Sequence, residues 1–146
     1  MDRPCFHLSI PAVDLGISRD WYERVLGCRA GRSSDEALIL DLAGHQLVLQ
    51  RHSHDLGPKQ AGIYPRHFGL IFQHSAQWQA LRKRVEQTDE PFAVPPKVRF
   101  AGAVLEHQTF FLQDPSNNWL EFKHYHHAEA VLGCQEQPLV GDRDFR

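Results

Sequence analysis

The sequence predicts an α+β fold built from two successive βαβββ modules. Two observations favour this class: short segments of alternating apolar and polar residues surround each of two segments with helical apolar spacing, and this order occurs twice in 146 residues. The two copies cover about residues 4–53 and 65–125, with a linker at 54–64. We therefore expect one domain at residues 1–127, followed by a C-terminal tail at 128–146.

The first module opens with a strand and a helix. Alternation in CFHLSIPAV (5–13) predicts a strand with His7 on its polar face. The apolar face of that strand carries Phe6, Leu8 and Ile10. The segment DLGISRDWYERVLGC (14–28) predicts a helix that ends at Gly27. Its apolar stripe consists of Ile17, Trp21, Tyr22, Val25 and Leu26. Strands at about 28–33, 37–42 and 46–52 complete the module.

The second module repeats this order. RHFGLIF (66–72) alternates as a strand with His67 on the polar face, and SAQWQALRKRVEQ (75–87) predicts a helix with Ser75 as its N-cap. Three strands follow at about 92–100, 108–113 and 118–125, the last two joined by the turn DPSN. Laying the second copy on the first pairs His7 with His67 and Gln50 with Glu121.

Composition excludes several classes of partner. The formal net charge of −2 indicates neither nucleic acid nor an anionic membrane, and no apolar run approaches the roughly 20 residues of a membrane helix. The N-terminus lacks a signal-peptide pattern, and the three widely spaced cysteines form no disulfide framework. These features predict a cytoplasmic protein.

Four polar side chains stand out on the strands. The face of each sheet that its helix covers must be apolar, so the opposite face carries His7, Gln50, His67 and Glu121. Two imidazoles and a carboxylate from separate strands suit Fe(II), Mn, Zn, Ni or Co and leave coordination positions open. Alternation places His124 on the other face, with the core. The pattern therefore predicts a divalent metal site.

Three segments then resemble one superfamily. They are FHLSIPAVDLGISRDWYERVLGC, PRHFGLIF and FFLQDPSNNWLEF. They are similar to the vicinal oxygen chelate superfamily, which includes glyoxalase I, extradiol dioxygenases, and fosfomycin and bleomycin resistance proteins. The similarity spans about residues 4–125. It implies one U-shaped, partly closed mixed sheet with helices outside, the metal in its concavity, and His7, His67 and Glu121 as ligands.

The resemblance also bears on the type of reaction. Isomerase and lyase members carry a fourth ligand near Gln50, where they usually have Glu, so Gln50 is either a ligand or a pocket residue. A His, His, Glu triad is more similar to extradiol dioxygenases, which favours Fe(II). Those enzymes usually have a Tyr where this chain has Phe111, and the acid/base candidates are His52 and His107.

Three functions therefore remain open. The favoured one is extradiol-dioxygenase-like oxygenation of a small organic substrate. The alternatives are glyoxalase-type lyase or isomerase chemistry and metal-free ligand binding of the bleomycin-resistance kind. The resemblance further implies that chains with two modules commonly form homodimers.

Overall fold

The computed structural model describes residues 2–52 and 59–141. Part of the linker expected at 54–64 and the end of the tail lie outside these residues. The first module comprises β1 (His7–Ala12), α1 (Leu15–Leu26), β2 (Arg29–Ser33), β3 (Ala37–Leu42) and β4 (His45–Arg51). The second comprises β5 (Phe68–Ile71), α2 (Ser75–Glu86), β6 (Val94–Arg99), β7 (His107–Gln113) and β8 (Trp119–Tyr125), and a short 3₁₀ helix follows at Ala128–Ala130. The α+β class with two βαβββ modules is confirmed.

The eight strands form two four-stranded mixed sheets with the same topology. Sheet 1 has the strand order β1-β4-β3-β2, and sheet 2 has the order β5-β8-β7-β6. In each sheet the first strand runs parallel to the last strand of its module, and the other neighbours are antiparallel. Within the residues that the structure describes, neither sheet closes on itself, and strand hydrogen bonds do not join the two into the one sheet that was expected.

One hydrophobic core serves both modules. Its buried members from sheet 1 and α1 include Leu38, Leu40, Leu47, Leu49, Trp21, Tyr22 and Val25. Its members from sheet 2 and α2 include Phe110, Leu112, Leu120, Phe122, Trp78 and Val85. Because successive strand side chains alternate between faces, His7 and Glu121 lie on the faces opposite this core.

Polar contacts also join the modules. The turn between β7 and β8 carries Asp114, whose Oδ2 accepts a hydrogen bond of 2.7 Å from the buried Tyr22 hydroxyl of α1. From the same turn, Asn118 Nδ2 donates to the Pro11 carbonyl at 3.0 Å. These bonds fix the start of β8, and therefore the strand that carries Glu121, against the first module.

Two apolar residues predicted for the core are exposed. Ile17 is 59% exposed and Phe6 is 63% exposed. The buried positions of α1 start at Ser18 and continue at i+3, i+4 and i+7, so Ile17 lies to one side of the buried stripe. Phe6 lies just before β1, which begins at His7.

The helix ends are partly as predicted. Gly27 ends α1 with a left-handed φ of 71°, a conformation that glycine adopts without steric cost. Ser75 is not the N-cap of α2. That position belongs to His74, whose backbone N–H donates to Gln77 Oε1 at 3.2 Å. Among the described residues, no helix has the length and apolar character needed to cross a membrane.

Candidate functional site

Strand register gathers a polar group on the outer face of sheet 2. Glu121 lies opposite Phe111 of β7 on one side and opposite Gly69 of β5 on the other. Directly opposed residues point to the same face of a sheet. His67 directly precedes β5, which places it at the same edge of the group. Residues separated by more than 50 positions in the sequence are thereby brought together.

His67 and Glu121 are in direct contact. His67 Nε2 lies 3.3 Å from Glu121 Oε1. The other ring nitrogen, Nδ1, donates a hydrogen bond of 2.6 Å to the Ile63 carbonyl, which fixes the orientation of the ring. The ring edge also packs against Phe111, with centroids 5.2 Å apart. The imidazole is thus held in one position with Nε2 directed at the carboxylate.

Glu121 is held equally firmly. It is buried, and its Oε2 accepts a hydrogen bond of 2.6 Å from the Thr109 hydroxyl. Lys123 Nζ lies 3.7 Å from Oε1. Burial alone would raise the pKa of the carboxyl group, but the hydrogen bond with His67 and the charge of Lys123 bring the pKa below its ordinary value. The same hydrogen bond raises the pKa of His67 against the opposing effect of burial.

Gly69 permits this close approach of strands. A β-carbon at residue 69 would collide with the backbone carbonyl of Glu121. Only glycine therefore allows β5 to pair with β8 at this distance. The separation of His67 from Glu121 depends on that pairing.

His7 and Gln50 belong to sheet 1 instead. His7 is exposed, and its Nδ1 donates to Gln46 Oε1 at 2.7 Å. Gln50 is also exposed and lies opposite Pro11. Within residues 2–52 and 59–141, no three His, Cys, Asp or Glu side chains lie close enough together to hold a metal ion. A single chain thus brings His67 and Glu121 together, but not His7.

The register also changes how the two modules correspond. Leu8 pairs with Leu47 in sheet 1, and the matching pair in sheet 2 is Phe68 with Leu120. Val48 is therefore the structural counterpart of Glu121. Gln50 lies two residues further along β4, so the gap-free pairing of Gln50 with Glu121 is displaced by two positions.

The acid/base candidates are in different environments. His107 is the first residue of β7, is buried, and lies on the same face of sheet 2 as Thr109 and Glu121. Its Nδ1 donates to the Leu105 carbonyl at 2.9 Å, and burial lowers its pKa. His52 is exposed just after β4, in sheet 1. The structure thus brings His107, but not His52, to the His67–Glu121 face.

Several residues of this face were not predicted from the sequence. They are Lys97, Arg99, Thr109, Lys123 and Tyr125. Period-two alternation from Glu121 reaches Lys123 and Tyr125, and the same alternation from Phe111 reaches Thr109, so that signal was present. Lys97 and Arg99 reach the face through an irregularity in β6 that alternation does not reveal. His124 is on the opposite face, as expected, with Nδ1 donating to the Phe72 carbonyl at 3.0 Å.

The donor atoms of His67 and Glu121 fit a divalent transition metal. Two donors each about 2.1 Å from one ion are about 3.0–3.4 Å apart when they subtend 90–110°. The observed separation is 3.3 Å. The remaining polar atom of each side chain also has a hydrogen-bond partner: His67 Nδ1 donates to the Ile63 carbonyl, and Glu121 Oε2 accepts from the Thr109 hydroxyl. Such partners usually orient the side chains of metal ligands. The two donor atoms therefore have the separation that two ligands of one metal ion require.

Comparisons with known proteins agree with the fold. A sequence model of the Glyoxalase/Bleomycin resistance protein/Dioxygenase superfamily matches residues 5–122. The search of curated proteins produced no match. Among solved structures, a glyoxalase/bleomycin resistance protein/dioxygenase from Alicyclobacillus acidocaldarius is 41% identical, with a TM-score of 0.81, over 88% of this chain and 96% of that one.

Two more distant structures share the fold alone. The fosfomycin resistance protein FosX of Listeria monocytogenes is 15% identical, with a TM-score of 0.67, over 90% of this chain and 100% of its own. A lactoylglutathione lyase from Agrobacterium tumefaciens is 16% identical, with a TM-score of 0.63, over 83% of this chain and 92% of its own. The family match spans most of the sequence. This chain therefore belongs to the glyoxalase/bleomycin resistance protein/dioxygenase superfamily.

Proposed function

We propose that the protein is a metal-dependent enzyme that chelates two neighbouring oxygens of a small organic substrate, with extradiol-dioxygenase-like oxygenation as its reaction. The observation that carries this proposal is the 3.3 Å separation of His67 Nε2 and Glu121 Oε1, with both side chains fixed from behind. Fe(II) is the favoured metal, and Mn, Zn, Ni and Co suit the same donors. A bound metal of this kind supplies Lewis-acid chemistry, and iron adds redox chemistry.

The surrounding side chains have distinct roles in this proposal. Ile63 and Thr109 orient the two ligands, and the buried Phe111 ring excludes water from one side of them. His107 is the acid/base residue. Burial favours its neutral form, which is the form a general base requires.

His7 is proposed as the third ligand, supplied by a second copy of the chain. It lies in sheet 1, apart from His67 and Glu121. A two-fold dimer places the same two surfaces opposite each other twice, so sheet 1 of each copy can face sheet 2 of the other. Such a homodimer holds two equivalent sites, each with ligands from both chains.

Mixing two inactive variants tests the shared site. His7→Gln and His67→Gln should each lose bound metal, whereas His126→Gln, an exposed histidine outside the site, should keep it. After unfolding and refolding together, the mixture should recover about a quarter of the wild-type metal content, because about half of random dimers are mixed and each holds one complete site. Elemental analysis measures this directly. No recovery, with the mixed dimer demonstrated by mass spectrometry, would contradict the shared site.

The type of reaction needs a separate assay. After anaerobic loading with Fe(II), the protein should consume O₂ on at least one member of a panel of catechols, and Glu121→Gln should not. Absence of oxygen uptake on every catechol would exclude the dioxygenase reaction. Glyoxalase-type chemistry then becomes the first alternative.

Metal content separates enzyme from binding protein. Protein purified without chelator should contain a transition metal or take one up on titration. If it does neither, the metal-free binding function of the bleomycin-resistance kind is the correct one.

A further inference from the structure

A cleft lies between the two modules, on the side of sheet 2 that α2 covers. Its volume is about 370 Å³, within the range of small-molecule pockets. Leu70 of β5 lines it and alternates with Gly69, which lies on the same face as Glu121. The cleft is therefore on the opposite face of sheet 2 from the candidate site. We name it the inter-module cleft; its apolar walls include Leu26, Leu42, Leu70, Phe72 and Leu81.

The walls of the inter-module cleft leave apolar side chains in contact with water. Leu26 of α1, Leu70, Phe72 and Leu81 of α2 pack against the core but are only partly buried. Transfer of such surface out of water is favourable. The cleft therefore favours a ligand with an apolar body that fits between α1 and α2.

Arg84 of α2 adds a positive charge to the same cleft. Its guanidinium packs over Gly27, where a β-carbon would lie 3.2 Å from Cζ. Arg84 Nε donates to the Arg24 carbonyl at 3.3 Å, and Nη2 donates to the Glu23 carbonyl at 3.1 Å. These bonds to the end of α1 use one edge of the planar group and fix its orientation.

The charge of Arg84 has no acidic partner among the described residues. No carboxylate oxygen there lies within 4 Å of the guanidinium, and Nη1 has no hydrogen-bond partner. The Glu23 carboxylate binds Arg19 Nε at 3.2 Å instead. Asp41, next to the lining residue Leu42, accepts a hydrogen bond of 2.7 Å from a backbone N–H of the following turn. Arg84 Nη1 is thus available to an anion beside the apolar walls.

We propose that the inter-module cleft binds a small apolar monocarboxylate, with the carboxylate on Arg84 and the apolar body between the walls. The edge of the guanidinium that carries Nη1 offers N–H donors in the geometry of a carboxylate. Arg84 is the one cation among the residues that line the cleft, and it matches the single charge of such a ligand. This is a second ligand site, independent of the proposed function at His67 and Glu121.

Titration with octanoate tests the proposal. Octanoate and its uncharged analogue octanamide are each titrated calorimetrically into the protein as purified, at low salt. Octanoate should bind about tenfold or more tightly, since the carboxylate adds charge-assisted hydrogen bonds to Arg84. In ¹H–¹⁵N NMR spectra, octanoate should shift the signals of residues 26–28 and 80–84. Glu121→Gln should bind octanoate as wild type does, because Glu121 lies on the opposite face of the sheet.

Variants assign the binding to the inter-module cleft. Ala80 is an exposed residue of α2 that lines the cleft, so Ala80→Leu fills part of it and keeps a good helix former. This variant should weaken octanoate binding about tenfold or more. Ala76→Leu is the matched control, since Ala76 is exposed on α2 but does not line the cleft, and it should bind as wild type does.

The charge of Arg84 has its own variant. Arg84→Gln should abolish the preference for octanoate over octanamide, whereas Lys83→Gln, which removes an exposed lysine of the same helix, should keep it. Ala80→Leu remains informative even if loss of the bonds to the end of α1 prevents Arg84→Gln from folding.

Four results would overturn the proposal. They are the absence of octanoate binding, equal binding of octanoate and octanamide, an affinity that Ala80→Leu and Ala76→Leu leave equally unchanged, and loss of binding in Glu121→Gln. Metal content, measured on the same preparations, keeps the two proposals separate. Protein that binds metal but no octanoate refutes this inference alone, whereas protein that binds octanoate but no metal refutes the proposed function alone.

Discussion

The hydrogen bond from Thr109 to Glu121 gives the sharpest test of how the site is held. Thr109→Val replaces the hydroxyl with a methyl group of similar size. It removes a 2.6 Å bond to Oε2 of a buried carboxylate, a length typical of an O–H donor to an ionised acceptor. A hydrogen bond to a charged group contributes about 1.5–3 kcal/mol, and the carboxylate finds no water in its place. We therefore expect the free energy of unfolding to fall by about 2 kcal/mol.

Urea denaturation measures this loss. With a slope of about 2 kcal/mol per molar urea for a protein of this size, the midpoint should fall by about 1 M. Thr88→Val is the matched control, because Thr88 Oγ1 donates to the neutral Val85 carbonyl at 2.7 Å in a half-buried position. The control should lose about 1 kcal/mol or less.

Metal binding gives a second readout for Thr109→Val. Loss of an orienting partner of a ligand typically weakens metal affinity by about 10–100-fold. Thr88→Val should leave metal affinity unchanged, since Thr88 lies just after α2 and its hydroxyl donates to the Val85 carbonyl. If Thr109→Val lowers neither stability nor metal affinity by more than Thr88→Val does, the reasoning that the hydroxyl holds Glu121 is refuted.

Three further predictions concern other parts of the structure. Gly69→Ala should lower the free energy of unfolding by about 3 kcal/mol or more in urea, and abolish metal uptake, because the added methyl group collides with the Glu121 carbonyl and separates β5 from β8. Burial raises the pKa of Tyr22 well above its ordinary value, and the charge of Asp114 raises it further. Above about pH 10, tyrosine ionises in the unfolded chain, but Tyr22 keeps its proton in the folded protein. The free energy of unfolding of the wild type should therefore fall as the pH rises above about 10. Tyr22→Phe should be less stable by about 2 kcal/mol at pH 7 and show a smaller alkaline loss; an unchanged alkaline slope would contradict the linkage. Burial raises the pKa of Cys28 to about 12, so iodoacetamide at pH 8 should label Cys28 only after unfolding, as mass spectrometry would show.

Alternation predicted correctly that Glu121 lies on the face of sheet 2 opposite the core. Phe68, Leu120 and Phe122 pack in or against the core, so the residues between them, including Glu121, must face the other way. The duplicated topology then brings the first strand of the second module beside its last. His67 and Glu121 meet because those two strands are parallel neighbours, a result that a repeated βαβββ order already implies.

Strand irregularity and register could not be predicted in the same way. The extra residue in β6 reverses the faces of Lys97 and Arg99, and the pair of prolines before them does not by itself specify a bulge. The displacement of Gln50 relative to Glu121 likewise depends on which residues pair across strands. In α1, Ser18 is buried and Ile17 is exposed, although Ile17 was predicted to belong to the buried stripe. The rotation of the helix about its axis is set by packing against the sheet.

Comparison of the two sheets explains why the proposed site needs two chains. At the register positions that hold Gly69 and Glu121 in sheet 2, sheet 1 holds Ser9 and Val48. Sheet 1 therefore offers a histidine, His7, without a carboxylate beside it. Sheet 2 offers a histidine and a carboxylate, but no third ligand among its described residues. In the proposed site, the two modules act as complementary halves. A two-fold pair of chains brings sheet 1 of each copy to sheet 2 of the other through one kind of interface, and so forms two such sites.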